Sequence, residues 1–329
     1  MKRLTRYLPD RFITLLLVTV GIASVFPAHG VGLVTFGWIT NLAVALLFFL
    51  HGARLSREAI IAGMTHWRLH GTIFSVTFLL FPLIGIALQP LLQPLVTPEL
   101  YTGVLFLCCL PATVQSAIAL TAVARGNVPA AVCSASVSSL VGIFVTPLLV
   151  GLVIANAGAA PVSFDAVIKI MVQLLLPFLL GQFMRRWIGA WVAARKSALK
   201  IVDQGSILLV VYTAFSEAVN EGLWQDTPLG ALFGLIFICI VVLAFALGIS
   251  ILLGRLFKFN KADQITLLFA GSKKSLATGV PMAQVLFAGG AVGAIVLPLM
   301  VFHQIQLMVC AVLASRYGRR PLDEGEVEH

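Results

Sequence analysis

The sequence predicts an all-α polytopic membrane protein: a single membrane domain, residues 1–329, with ten transmembrane helices in two inverted five-helix repeats. Three observations predict it. Sixty per cent of the residues are hydrophobic, 11% are charged and mean hydropathy is +1.03, and apolar stretches long enough to cross a bilayer recur along the chain. Backbone groups in lipid must be satisfied within a helix or a closed barrel, and the short alternating strands of a barrel are absent. Finally, 19 of the 22 Lys and Arg residues fall on one side of the expected spans, the asymmetry of cytoplasmic loops.

In chain order, the first span runs from about 12 to 27, after Lys2, Arg3, Arg6 and Arg11. The small-residue stretch Pro27-Ala28-His29-Gly30 gives it the outline of a signal peptide, but nine further spans favour an uncleaved helix. The second (38–52) ends at Arg54 and Arg57, and the third (68–89) begins at Arg68. The fourth (100–123) carries Pro111 at its middle and stops at Arg125; the fifth is 129–153. The sixth (164–184) ends in Arg185 and Arg186, with Arg195, Lys196 and Lys200 leading to the seventh (203–220). On its outer end, Asp165 and Lys169 are four apart and read as a helix-surface pair. The eighth (229–254) precedes Arg255, Lys258 and Lys261, and the ninth is 264–287. The tenth (291–314) is followed by a cytoplasmic tail, 315–329, that carries Arg316, Arg319 and Arg320 and ends in the acidic run 323–329. Opposite loops contain no Lys or Arg, so both termini are expected to be cytoplasmic, in the cytoplasmic (inner) membrane.

The formal charge of +9 is therefore a topology signal; the basic residues lack the aromatic-basic surface of a nucleic-acid partner. Five cysteines fall inside spans without a CxxC and read as small apolar packing. His66 and His70, four apart, lack a carboxylate or Cys partner in the sequence and read as a wet interfacial pair, as does His51 beside Arg54. No metal site or cofactor is expected. No nucleophile–base pair at one depth supports an enzyme.

Five is an odd number of spans, so a second copy of the unit enters the membrane inverted: 12–153 and then 164–314. Corresponding fourth spans carry matched breaks. The first reads Leu110-Pro111-Ala112-Thr113-Val114-Gln115-Ser116, and the second Ala270-Gly271-Ser272-Lys273-Lys274-Ser275. Proline removes an amide donor, glycine weakens the helix, and unwound backbone at this depth must line a cavity or lie in protein. Two lysines here cost roughly 2.5 to 3.5 kcal/mol each on insertion scales, which marks a pathway or a binding site. The candidate substrate or ion site is thus Thr113, Gln115, Ser116, Ser272, Lys273, Lys274 and Ser275. His303 and Gln304, followed by Gln306, are explained by interhelical hydrogen bonding and rank second. Ser136, with Ser134, Ser138 and Ser139, is placed either on a cavity wall or in helix packing.

The run Ala124-Arg125-Gly126-Asn127-Val128, after a Pro-led polar break, resembles the bile acid:sodium symporter family. Leu50-His51-Gly52-Ala53-Arg54-Leu55-Ser56, Tyr212-Thr213-Ala214-Phe215-Ser216-Glu217, Gly271-Ser272-Lys273-Lys274-Ser275-Leu276 and Phe302-His303-Gln304-Ile305-Gln306 are similar to its SBF-like branch. The resemblance implies a panel of spans 1, 2, 6 and 7 and a core of the other six, with helices 4 and 9 crossing. It also implies sodium ligands in a Pro-Gly-Gly-x-x-Ser-Asn run and a Glu-Val-Gly-Met-Gln-Asn-Ser run. Carried over by motif, the Ser falls on Ser116 and the Asn on Ala117; the Glu falls on Phe269, the Gln on Lys273, the Asn on Lys274 and the Ser on Ser275. A further glutamine of the third helix falls on Thr77. Most of the implied sodium ligands are replaced.

Two like charges about 4 Å apart repel by roughly 4 kcal/mol at an effective dielectric of 20, so an ammonium disfavours sodium beside it. The expectation is a secondary transporter of a small organic anion working by alternating access, in which a lysine occupies the place of sodium and pairs with the substrate. Coupling to Na+ or H+ is the open alternative. A lysine–carboxylate staple, with Glu217 as the candidate, is the structural alternative. A non-transporting membrane regulator of ion (calcium) entry is the functional one.

Overall fold

The computed structural model of the protein describes residues 11–54, 66–156, 164–287 and 292–320. The side chains of Arg11, Asp165, Lys169 and Lys196, the residues Lys2, Arg3, Arg6 and Arg57, and the tail beyond Arg320 lie outside the described residues. With them lies the expected Asp165–Lys169 pair. Every described segment is helical or a short connection. The helices are α1 (Arg11–Val25), α2 (Gly30–Arg54), α3 (Trp67–Leu95), α4 (Pro98–Cys109), α5 (Val114–Val123) and α6 (Val128–Asn156). They continue as α7 (Phe164–Ala194), α8 (Lys196–Asn220), α9 (Leu229–Leu256), α10 (Lys261–Gly271), α11 (Leu276–Leu286) and α12 (Val292–Gly318).

Among the described residues, six helices are long and apolar enough to cross a membrane; the bent pair α4–α5, with 64° between its halves, brings the total to seven. α1, α7 and the broken pair α10–α11 occupy the other three expected spans. Each expected span coincides with a helix or a broken pair, but several ends differ. α2 begins at Gly30, eight residues before the expected start, because Gly30-Val31-Gly32 is helical although its glycines read as loop. α7 continues ten residues beyond 184 and α8 starts at Lys196. Charged residues end a hydropathy window without ending a helix. Here Arg186 lies 3.7 Å over the Trp187 ring and Arg195 4.5 Å over Trp191, a cation–π lining suited to an interfacial segment.

The helices pack in two groups. α1, α2, α7 and α8 contact one another, and α3 to α6 with α9 to α12 surround the two broken pairs. α2 and α7 approach at backbone distance. A Cβ on Gly52 would collide with the Phe178 carbonyl, and one on Gly181 with that of Phe49. α2 and α8 are joined by the buried Thr40–Thr213 hydroxyl pair at 2.9 Å. The two groups meet where α8 packs on α11 and α12 and α7 on α6 and α11.

Candidate ion and solute site

The site begins with two interruptions in main-chain hydrogen bonding. In α3, residues Val76–Leu80 form a π turn: the Phe81 N–H reaches back five residues to the Val76 carbonyl. The Thr77 carbonyl would then need the amide of residue 82, which is Pro82 and has none, so its oxygen is left to an outside donor. At the end of α4, Leu110 and Thr113 are extended. Pro111 has no N–H, and the Ala112 N–H donates instead to Ser138 Oγ at 3.0 Å.

All five carbonyls from 107 to 111 find partners. Leu107 takes the Leu110 amide, Cys109 the Thr146 hydroxyl (2.9 Å) and Pro111 the Ser275 amide (3.0 Å). Cys108 and Leu110 take Lys274. Gly142 on α6 makes room for the break, since a Cβ there would stand 2.6 Å from Pro111 Cβ.

Lys274, fully buried, fills the gap. Its Nζ donates to the carbonyls of Thr77 (2.7 Å), Cys108 (2.8 Å) and Leu110 (2.8 Å) and sits 4.0 Å from the centroid of the Phe81 ring. These are charge-assisted distances, and three acceptors match the three hydrogens of an ammonium. The cation also lies at the C-terminal, negative end of α4. Its backbone is fixed from α12: Gln306 Oε1 accepts the Lys274 N–H, Gln306 Nε2 donates to the Lys274 carbonyl, both at 3.0 Å, and Nε2 is 2.9 Å from His303 Nδ1. Thr113 Oγ1 adds a second bond to that carbonyl at 2.8 Å. The two breaks are therefore tied directly to each other.

Lys273 is equally buried, and its Nζ has no hydrogen-bond partner among the described residues. The ion pairs among the described residues join Arg54 to Asp203 and His66 to Asp263, so neither lysine is stapled to a carboxylate. Glu217 is half-buried on α8, fourteen residues or roughly 21 Å along the axis from Asp203.

A crevice opens beside the crossing. Two cavities of about 1090 and 450 Å³ share Arg54, Gln115, Lys200 and Asp203. The outer one adds Arg185 and Arg186, and the inner one reaches Thr113, Ser136, Ser139, Ser275 and Thr278, with Leu47, Ile143, Phe178 and Ile207 as apolar wall. The first residues of α5 and α11 face this space, so two helix N-termini present positive half-dipoles to it.

Of the residues expected at the site, Thr113, Gln115, Ser136 and Ser275 line the crevice. Thr77 contributes its carbonyl, while its hydroxyl donates to Ile73. The hydroxyl of Ser272 returns to the Leu268 carbonyl within its own helix. Ser116 Oγ and Gln304 Oε1 are buried without a hydrogen-bond partner among the described residues. His303 acts on Lys274 through Gln306. Ser134 and Ser138 are packing groups bonded to His70 and Ala112.

His70 is buried, not wet interface, with Nδ1 2.6 Å from Ser134 Oγ, and His51 is half-buried and lines the crevice. His66 does have a carboxylate partner, Asp263 at 3.1 Å. No one imidazole links Asp263 to Ser134, because the two rings stand 6.4 Å apart. The Arg54–Asp203 pair, the Gln306 clamp and the π turn were not anticipated. A guanidinium beside the apolar end of span 2 and a carboxylate opening span 7 were the available signals for the first of these.

The helices and the polar broken crossing define a multi-pass membrane protein. Residues 10–319 match the SBF-like CPA transporter family, and the chain belongs to it. It is 64% identical over 315 residues to an uncharacterized protein of Pseudomonas aeruginosa (96% of this chain, 95% of that one). It is 56% identical to the putative symporter YfeH of Escherichia coli (94% and 93%) and 30% identical to sodium/bile acid cotransporter 7 of Rattus norvegicus (95% and 94%). The relatives from Escherichia coli and Rattus norvegicus carry the names of transporters, not of enzymes.

Proposed function

We propose that this protein is a secondary transporter that moves a small organic anion by alternating access, with the crevice beside the crossing as its solute site. The reading includes ten spans in two inverted repeats, 12–153 and 164–314, lying in the inner membrane with both termini cytoplasmic. What supports the anion is the crevice itself: two helix N-termini at one end, and Arg54, Arg185, Arg186 and Lys200 towards the other. What supports transport is the family and the relatives named symporter and cotransporter.

In this reading Lys274 is the resident cation of the crossing. Its ammonium takes three carbonyl oxygens, the kind of ligand a sodium ion needs, and the carboxylate expected of a sodium site is Phe269 here. The lysine thus supports the fixed crossing, and the anion meets helix ends and arginine instead of Lys273 or Lys274.

The test is flux of organic anions into proteoliposomes of the purified protein, in sodium and in choline media. Uptake that is saturable and equal in the two media is expected. Absence of flux for every anion, with the protein folded, contradicts the reading and favours the non-transporting regulator of ion (calcium) entry.

A further inference from the structure

We infer that Arg54 is the group that grips the solute's anionic head and that Asp203 is its built-in competitor, displaced each time a carboxylate-bearing solute enters. The inference rests on the crevice being the solute site. Arg54 Nη1 donates to Asp203 Oδ2 at 2.6 Å and Nη2 to Oδ1 at 3.3 Å, an uneven fork joining α2 to α8. A guanidinium fork is matched to a carboxylate, whether that carboxylate belongs to the chain or to a solute.

The pair is poorly placed to be a staple. Its side chains are 30% and 19% exposed, and ion pairs in contact with water contribute little. α2 and α8 are already joined by the buried Thr40–Thr213 bond. Both partners line both cavities, and among the described residues Asp203 is the one acidic residue lining either, against Arg54, Arg185, Arg186 and Lys200. Exchange of one carboxylate for another on Arg54 therefore keeps the fork satisfied and releases Asp203 towards water and Lys200. Beyond Arg54 the inner cavity's wall carries Leu47, Ile143, Phe178 and Ile207 beside the hydroxyls of Ser136 and Ser139. The solute class is an organic monoanion with an apolar body.

Octanoate is the probe and 1-octanol its neutral control, measured by calorimetric titration of the purified protein with Asp203→Asn, Arg54→Gln and the double variant. Circular dichroism and thermal melting confirm that each variant is folded, and Arg54→Lys is the conservative substitute if Arg54→Gln is not. Removing the competitor is expected to tighten octanoate about tenfold, which is about 1.4 kcal/mol. Arg54→Gln is expected to weaken it by at least as much, and Asp203→Asn to give no gain in the Arg54→Gln background, with octanol indifferent throughout. If the wild-type protein binds octanoate and Asp203→Asn leaves the affinity unchanged or weaker, or tightens it equally without Arg54, the competitor role is wrong while the crevice remains the anion site. If no variant binds octanoate, both the inference and the anion reading fail.

Discussion

At the scale of single residues, the two adjacent lysines make opposite predictions. Lys274 satisfies three carbonyls that have no other donor among the described residues. Lys274→Met leaves them orphaned in the core, at about 1–3 kcal/mol for each unsatisfied group, and should lower the melting temperature sharply. Lys273 has a buried, unbonded Nζ. Replacing an unpaired buried amine by an apolar chain of similar shape removes a desolvation cost, so Lys273→Met should be neutral or stabilising. Thermal unfolding of the two variants side by side checks the contrast, and equal destabilisation would contradict it. Gln306→Leu removes both of its bonds to the Lys274 backbone; it should destabilise by about 1–3 kcal/mol through the Lys274 amide left unpaired, the carbonyl still accepting from Thr113 Oγ1.

The lysines and the Pro111 and Gly271 breaks were legible in the sequence because a charge or a helix breaker inside an apolar run stands against its background. The partner of Lys274 was not. It consists of main-chain oxygens, which every sequence contains, made available by a π turn, by Pro82 and by a rerouted Ala112 amide. Arg54 and Asp203 lie 149 residues apart, and nothing local to either announces the other.

At the scale of elements, the crossing depends on how closely α6 passes the α4–α5 break. Gly142→Val would force branched methyl groups into Pro111, where even a Cβ stands 2.6 Å away. Overpacking of this kind typically costs 1–3 kcal/mol, and the strain falls on the Cys108 and Leu110 carbonyls that hold Lys274. Reduced melting temperature with parallel loss of flux is expected; wild-type values for both would show that the break is tolerant. Element identity was read well from hydropathy. Ends were read less well, since α7 runs on through Arg185 and Arg186 and Gly30 and Gly32 belong to α2. A helix can leave the hydrocarbon without ending, and hydropathy sees only the hydrocarbon.

At the scale of the whole molecule, the basic side of the crevice would give the proposed anionic solute a long-range attraction that salt screens within about 8–10 Å at ordinary ionic strength. Solute affinity should therefore fall as inert salt is raised, whereas the Lys274 cage, excluded from water, should not respond. The same separation distinguishes solute recognition from the cation of the crossing and leads to the most direct measurement: thermal stability of the purified wild-type protein in sodium chloride against choline chloride at equal ionic strength. A ligand at 100 times its dissociation constant would add about 2.7 kcal/mol. With Lys274 seated among the three carbonyls, the two melting curves should coincide. A sodium-specific rise would contradict the account, because it would require a cation site that the lysine does not fill.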